Sequence, residues 1–154
     1  RVPSPMTVTA SDIETGVFGL EHFDVPGRSP VEARNAATAR EIFLAFARAE
    51  FEVLGNHLAA DAVTVIVGLD LKKLGAHAID FDFFRRTFPH GLRFQIRSVL
   101  ADRDLVCVQW DDEAVTDRGH HYVNSGVHIF QFNRDGRIQD SHEYLDPDRF
   151  MEIL

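Results

Sequence analysis

Four segments with the alternating hydrophobicity of β-strands follow one another along the second half of this 154-residue chain. They read "LRFQIRSVLA", "DLVCVQWDDEAV", "HHYVNSGVHIFQF" and "RIQDSHEYL", and polar turn sequences separate them. Strands that are joined by short turns pair with one another in antiparallel fashion. This half of the chain therefore predicts an antiparallel sheet.

Helix patterns dominate the residues that precede these strands. Apolar side chains recur at helical spacing between residues 31 and 48, at Ala36, Ala39, Ile42, Phe43 and Phe46. Further helices are predicted at residues 50–59 and 75–87, and the short run "AVTVIVG" between them predicts a buried strand. Helices gathered ahead of an antiparallel run predict an α+β fold, in which a strongly bent sheet presents its apolar concave face to three helices.

The chain is predicted to contain an arm and one domain. Residues 1–30 are rich in Pro, Gly, Ser and Thr, and we expect an extended arm that packs on its own domain through Phe18, Leu20 and Phe23. Residues 31–154 are predicted to form a single domain, because their number suffices for one hydrophobic core.

The charge of the chain argues against several partners. Its formal net charge of −8 disfavours nucleic acid and anionic membrane surfaces, which attract basic proteins. No apolar run reaches the length of a transmembrane helix, and the single cysteine, Cys107, cannot form an internal disulfide. We therefore expect a cytoplasmic protein that binds neither nucleic acid nor membrane.

Eight histidines raise the question of a metal site. His120 and His128 share a face of their strand but are separated by roughly 26 Å at the rise of an extended chain, and His142 lies on the opposite face of the hairpin. No three histidines converge, and the sequence contains no cysteine cluster, glycine-rich phosphate loop or dinucleotide fingerprint. We expect no metal and no cofactor.

The turn "NRDG" closes the last hairpin in one of two ways. A four-residue loop places Phe132 opposite Arg137, and it therefore places Gly126 opposite Glu143. A three-residue loop with a bulge shifts the pairing by one residue, and the shift changes which residues share a face. The two apolar arms favour the four-residue loop.

On that register, one face of the hairpin is apolar near the turn and polar farther from it. The face carries Phe132, Phe130, His128, Gly126, Asn124 and Tyr122, with Gln139, Ser141, Glu143 and Leu145 beside them. Gly126 would leave space above the Glu143 carboxylate, with His128 as its diagonal neighbour. A buried carboxyl group beside an imidazole is a candidate acid/base pair. The alternative is a structural histidine whose hydrogen bonds are satisfied.

Other side chains are candidates to line a cavity. Trp110 shares the parity of the valines in "VCVQWDD" and is predicted to face inward. There it would either form the floor or rim of a pocket or pack in the hydrophobic core. Cys107 has the other parity and is predicted to face away from the pocket. Tyr122 and Asn124 are candidates to bond a ligand or to satisfy backbone groups at the mouth of the sheet. Asp146 is predicted to be a turn or cap residue.

The order of elements, with "AADAVTVIVG" after the second helix and "F.FNRDGRIQ…EYLDP" at the end, resembles the NTF2-like superfamily. The resemblance covers roughly residues 31–150 and is closest to the SnoaL-like and ketosteroid-isomerase-like branch. It implies a cone-shaped barrel in which a curved antiparallel sheet wraps around three N-terminal helices and encloses a deep pocket. It also implies a homodimer that forms through the sheet.

Two branches of that superfamily imply different roles for individual residues. Relative to ketosteroid isomerases, His128 stands at the position of the oxyanion-hole aspartic acid, Ile66 at that of the general base and Ile42 at that of the pocket tyrosine. These departures argue against steroid-type isomerisation. The stretch "HEYLDP" resembles "REFMNP" of phenazine-biosynthesis A/B-type proteins, and that resemblance implies that Glu143 is an acid/base residue.

The sequence thus predicts a cofactor-independent SnoaL-like enzyme that acts on a small apolar cyclic or polyketide-like metabolite by proton transfer. Glu143 and His128 are the predicted catalytic residues. The predicted substrate-binding residues are Tyr122, Asn124, Ser141 and Trp110. The alternative prediction is a non-catalytic small-molecule-binding or interaction module, which NTF2-like domains also form.

Overall fold

The computed structural model describes residues 14–69 and 80–154. The strands are β1 Val17–Phe18, β2 Leu58–Val67, β3 Arg93–Asp102, β4 Leu105–Val115, β5 His121–Phe132 and β6 Ile138–Leu145. The helices are α1 Pro30–Ala47, α2 Val53–His57, α3 Phe81–Thr87 and α4 Pro147–Met151, with a 3-10 helix at Leu20–Phe23. The predicted α+β class is confirmed.

The six strands form one curved, unclosed sheet with the order β1-β3-β4-β5-β6-β2. The four strands from β3 to β6 pair antiparallel in chain order, as predicted. The two edge strands differ, because β1 runs parallel to β3 and β2 runs parallel to β6. Both edge strands come from the N-terminal half of the chain, so they join the sheet through connections longer than a hairpin turn.

Helix α1 begins with a capping box, and its apolar face packs against the sheet. The Ser29 side chain accepts a hydrogen bond from the Glu32 N–H, the Glu32 side chain accepts from the Ser29 N–H, and Pro30 fills the first turn. The buried face, which includes Ile42 and Phe43, packs against the sheet. The third predicted helix is shorter than expected within the described residues, since α3 begins at Phe81, and residues 75–79 of that prediction lie outside them.

The described part of the predicted arm packs on the domain. Val17 is fully buried and pairs with Phe94 of β3. Phe23 is also buried, with its ring centroid 5.9 Å from that of Phe43 on α1. No helix within residues 14–69 and 80–154 is long and apolar enough to cross a bilayer.

The loop of the last hairpin is shorter than predicted. The Asn133 N–H donates to the Arg137 carbonyl at 2.8 Å, so residues 134–136 alone form the loop. Gly136 adopts a φ of 78°, the left-handed conformation with which such loops commonly end. The prediction of a four-residue loop is therefore wrong, and the pairing is shifted by one residue.

A β-bulge in β6 shifts the pairing of this hairpin once more. Phe132 pairs with Ile138, whereas Gln131 pairs with Asp140, so Gln139 is the extra residue on β6. Two shifts of one residue each amount to a shift of two, which is one full period of a strand. On the side of the Gln131–Asp140 pair that is farther from the turn, the residues predicted to lie on the inner face therefore still lie there. Each of them pairs with a different residue of the neighbouring strand than predicted.

Candidate active site

A cavity of about 50 Å³ lies between the concave face of the sheet and the helices. Much of its wall is aromatic, with rings from Phe43, Phe46, Phe84, Phe94 and Phe150. Its polar groups come from three adjacent strands, β4, β5 and β6: Trp110, Asp112, Tyr122, His128 and Glu143. The concave face of β4, β5 and β6 thus supplies every ionisable group that lines the cavity among the described residues.

Glu143 lies directly opposite His128 on the neighbouring strand. Its partner on the other side is Ile66 of β2, the position that the resemblance matches to the general base of ketosteroid isomerases. The predicted pairing of Glu143 with Gly126 is wrong, because the two register shifts move Gly126 to Leu145. The carboxyl group and the imidazole are therefore direct cross-strand neighbours and not diagonal ones.

The space next to Gly126 is occupied by the Trp110 ring. A Cβ atom on Gly126 would lie 2.7 Å from Cζ2 of Trp110 and 2.4 Å from the Tyr144 carbonyl oxygen. Gly126 therefore does not provide room above a carboxylate, as the predicted register implied. Its missing side chain instead lets the indole of the adjacent strand lie against the β5 backbone.

Burial shifts the pKa of both carboxyl groups in the cavity. Burial raises the pKa of Glu143 from its ordinary value to about 7. Burial, followed by the negative charge of Glu143, raises the pKa of Asp112 to about 8. A carboxyl group in an apolar cavity resists ionisation, and a second carboxylate nearby adds to the resistance.

Asp112 is the residue that sequence reasoning missed. It occupies the inner face of β4 two residues after Trp110, and its Oδ1 is buried without a hydrogen-bond partner among the described residues. The sequence contained a signal, because Asp112 continues the inward parity of "VCVQW". A charged residue that continues an apolar face is a candidate for a functional site.

His128 is neutral in this environment. Burial, followed by the charge of His142, lowers the pKa of His128 to about 3. Its ring stacks on Phe130 with centroids 4.0 Å apart, and its Nε2 lies 2.6 Å from the Ser141 hydroxyl oxygen. The imidazole can therefore donate or accept a hydrogen bond near neutral pH, but it carries no positive charge.

Tyr122 and Asn124 form a connected pair. The Asn124 Nδ2 donates to the Tyr122 hydroxyl oxygen at 2.9 Å and to the Asp146 carbonyl at 3.0 Å. The Asn124 Oδ1 accepts from the Asp146 N–H at 3.0 Å and from the Ser125 N–H at 2.8 Å. Since the Tyr122 oxygen accepts from Asn124, the hydroxyl hydrogen remains available, and burial raises the pKa of Tyr122 so that it keeps its proton.

The structure brings most of the predicted residues together. Four of them line the cavity, namely Glu143, His128, Tyr122 and Trp110. Asn124 and Ser141 are buried and bond to cavity-lining side chains. Asp146 caps α4 by accepting from the Asp148 N–H at 3.0 Å, in agreement with its predicted role.

The architecture described above is that of a known family. The sequence model of the SnoaL-like domain family matches residues 39–141, about two thirds of the chain. The chain therefore belongs to the SnoaL-like domain family. The chain has no significant match among curated protein sequences.

Solved structures show the same fold. A proposed SnoaL-like polyketide cyclase from Jannaschia sp. CCS1 is 18% identical over 84% of this chain and 96% of its own, with a TM-score of 0.64. An NTF2-like protein of unknown function from Burkholderia pseudomallei K96243 is 18% identical over 78% of this chain and 96% of its own, with a TM-score of 0.63. An LEH-like epoxide hydrolase from M. tuberculosis is 18% identical over 81% of this chain and 92% of its own, with a TM-score of 0.60.

Proposed function

We propose that the protein is a cofactor-independent enzyme that moves protons on a small, largely apolar cyclic molecule, in a cyclisation, isomerisation or dehydration. The observation that supports this proposal is the pair of carboxyl groups, Asp112 and Glu143, in an otherwise largely apolar cavity. Carboxyl groups with pKa values near the working pH can accept and donate protons in a catalytic cycle.

The two carboxyl groups have different roles in this proposal. Between pH 7 and pH 8, Glu143 with a pKa of about 7 is mostly ionised and accepts a proton from a substrate carbon. Asp112 with a pKa of about 8 is mostly protonated over the same range and donates to a substrate oxygen. A neutral carboxyl group in an apolar site is an effective hydrogen-bond donor to a developing oxyanion.

The remaining cavity groups assist without carrying charge. The Tyr122 hydroxyl is a second donor, with Asn124 fixing its oxygen. When the Ser141 hydroxyl donates to Nε2 of His128, Nδ1 carries the imidazole hydrogen and becomes a donor to the substrate. The resemblance of "HEYLDP" to the phenazine-biosynthesis A/B-type stretch supports the acid/base role of Glu143.

The cavity indicates a small substrate. Its volume of about 50 Å³ is well below the roughly 300–1,000 Å³ of pockets that hold drug-sized ligands. A polyketide with several fused rings would not fit this space. The names of related structures, a polyketide cyclase and an epoxide hydrolase, support chemistry on cyclic or oxygenated metabolites.

Proton exchange at carbon tests the proposal directly. Incubation with cyclohexanone in D₂O, followed by NMR, is expected to show deuterium incorporation next to the carbonyl. Because one positioned general base contributes about 10²–10⁴-fold, Glu143→Gln is expected to reduce this rate at least about 100-fold. The matched control is Glu113→Gln, which changes an exposed carboxylate on the same strand as Asp112.

The outcomes of this experiment separate enzyme from binding module. Full activity of folded Glu143→Gln would contradict the assignment of the base. Binding of cyclohexanone without any exchange by the unsubstituted protein would instead support the non-catalytic ligand-binding alternative.

A further inference from the structure

We propose that Trp110 donates a hydrogen bond from Nε1 to the ligand, and that the ligand is an uncharged ring with a carbonyl oxygen. The inference names the substrate class of the proposed enzyme and rests on that function only for its kinetic consequence. Its binding consequence rests on the geometry and the burial of the cavity.

The indole of Trp110 is a buried donor without an acceptor. The residue lines the cavity and is only 2% exposed. Its Nε1 has no hydrogen-bond partner among residues 14–69 and 80–154. A tryptophan in a protein interior usually finds an acceptor for its N–H, because a buried donor without one has lost its bond to water. A ligand in the cavity is the candidate acceptor.

The indole ring is held in place by its neighbours. Its six-membered ring lies against Gly126, where any side chain would collide with it. Phe94 packs at 86° to the indole, with centroids 6.2 Å apart. A donor on a fixed ring loses little conformational entropy when it binds, which suits a role in orienting a ligand.

A second unpartnered polar atom lies on the same face of β4. Asp112 follows Trp110 by two residues, so the two side chains start roughly 7 Å apart, and Asp112 Oδ1 also lacks a partner among the described residues. A ligand oxygen located between the two side chains would accept from the indole N–H and from the protonated Asp112. A carbonyl oxygen fits this position because it has two lone pairs and no hydrogen.

The charges of the cavity exclude an anionic ligand. No lysine or arginine is among the cavity-lining residues of the described chain, and His128 is neutral. A carboxylate or phosphate would therefore be buried beside Asp112 and Glu143 without a counter-charge, at a large cost in free energy. An uncharged carbonyl compound has no such cost.

The single tryptophan of the chain makes the binding test specific. In a sample labelled with ¹⁵N and ¹³C the indole N–H of Trp110 gives one resonance, which can be followed together with the Ile42 methyl signals during titration with three probes of similar size. Cyclohexanone is expected to shift this resonance downfield. Methylenecyclohexane is expected to shift signals of Ile42 in the cavity wall without the downfield indole shift, and cyclohexanecarboxylate is expected to shift neither.

Three results of the titration would overturn the proposal. The first is cyclohexanone binding that moves the Ile42 methyl signals and leaves the indole N–H unchanged. The second is tighter binding of the carboxylate than of the ketone. The third is the absence of any perturbation by cyclohexanone at saturating concentration.

A Trp110→Phe variant separates the hydrogen bond from the packing of the ring. The variant is expected to bind methylenecyclohexane like the unsubstituted protein, to bind cyclohexanone more weakly, and to lose about tenfold or more of the deuterium-exchange rate. Unchanged affinity for both probes would contradict the proposal. If the unsubstituted protein catalyses no exchange, the proposed function is contradicted. The shift of the indole resonance still tests whether Trp110 donates a hydrogen bond to the ligand.

Discussion

At the scale of single residues, the same burial has opposite effects on the two kinds of ionisable group in the cavity. It raises the pKa of Glu143 and Asp112 to about 7 and about 8, and it lowers the pKa of His128 to about 3. In each case the uncharged form is favoured, because the aromatic wall solvates charge poorly. At pH 7 the cavity therefore carries less than one full negative charge, although it contains three ionisable side chains of these two types.

The two raised pKa values predict a bell-shaped pH dependence of deuterium exchange. Activity is expected to rise through about pH 7 as Glu143 ionises and to fall above about pH 8 as Asp112 loses its proton. Asp112→Asn should remove the fall at high pH while the rise at low pH remains. Rates measured between pH 5 and pH 10 would check this, and a fall that persists in the variant would contradict the role of Asp112.

Stability is expected to depend on pH through the same Asp112 carboxyl group. Because its folded-state pKa of about 8 lies above the unfolded value of about 3.9, the folded state binds the extra proton between these values. Its stabilising contribution is complete below the unfolded pKa and is lost as the pH rises through the folded pKa.

Asp112→Asn isolates this contribution. The Tm of the unsubstituted protein should fall between pH 5 and pH 9. The Tm of the variant should fall less over the same range, by about 3 °C or more. Thermal unfolding monitored by circular dichroism measures it. The exposed substitution Glu113→Gln should leave the pH dependence as it is, and equal slopes for Asp112→Asn and the unsubstituted protein would contradict the burial argument.

At the scale of secondary-structure elements, the hairpin of β5 and β6 shows what the sequence can and cannot predict. The alternation of hydrophobicity predicted both strands and the residues of the inner face. The pairing was not predictable, because the bulge at Gln139 leaves no mark in the local pattern. The inner-face position of His128, Ser141 and Glu143 was nevertheless predicted, because two shifts of one residue cancel in parity.

Asp112 and the sheet edges were missed for other physical reasons. Strand alternation turns Asp112 of "DDE" to the inner face of the sheet, but local sequence does not show that helices cover this face and bury the carboxyl group. The parallel pairing of β1 and β2 depends on contacts between distant segments of the chain. Tertiary packing, and not local preference, decided both features.

The bulge residue itself provides a test at this scale. Deletion of Gln139 would remove the bulge, and Asp140 would follow Ile138 directly while still pairing with Gln131, so Ser141 and Glu143 would remain on the inner face of the sheet. We therefore expect the deletion variant to retain deuterium exchange. Gln139→Ala keeps the number of residues and should retain both activity and stability, as judged by exchange rate and thermal unfolding. A folded deletion variant without exchange would show that the bulge itself, and not only the register, positions Glu143.

At the scale of the whole molecule, the outer face of the sheet carries several exposed apolar side chains. One row across it joins Val65, His142, Ile129, Cys107 and Leu100 through the strand register. Leu100 is 68% exposed, and Leu105, Tyr144 and Val63 are also exposed. Exposed apolar patches on a folded protein commonly mark interfaces. The homodimer that the family resemblance implies would cover this face.

Light scattering coupled to gel filtration tests the dimer. We expect the mass of two chains, and we expect Leu100→Asp to produce a monomer because it buries a charge in the proposed interface. Val25→Asp is the matched control, since Val25 is 46% exposed in the segment before α1 and not on the sheet. A monomeric unsubstituted protein, or a Leu100→Asp variant that remains dimeric, would contradict this interface.

The side-chain amide of Asn124 bonds to the Tyr122 hydroxyl in the cavity wall and to both backbone polar groups of Asp146. Asp146 caps α4, and α4 supplies Phe150 to the opposite wall. The Asn124 amide group thus connects the Tyr122 hydroxyl, which would bind a ligand, to Asp146, which caps the N-terminus of α4. Hydrogen exchange at the backbone N–H of Asp146 should therefore report whether a ligand fills the cavity. We expect this exchange to slow when a ligand binds and to accelerate when Asn124 is replaced by alanine.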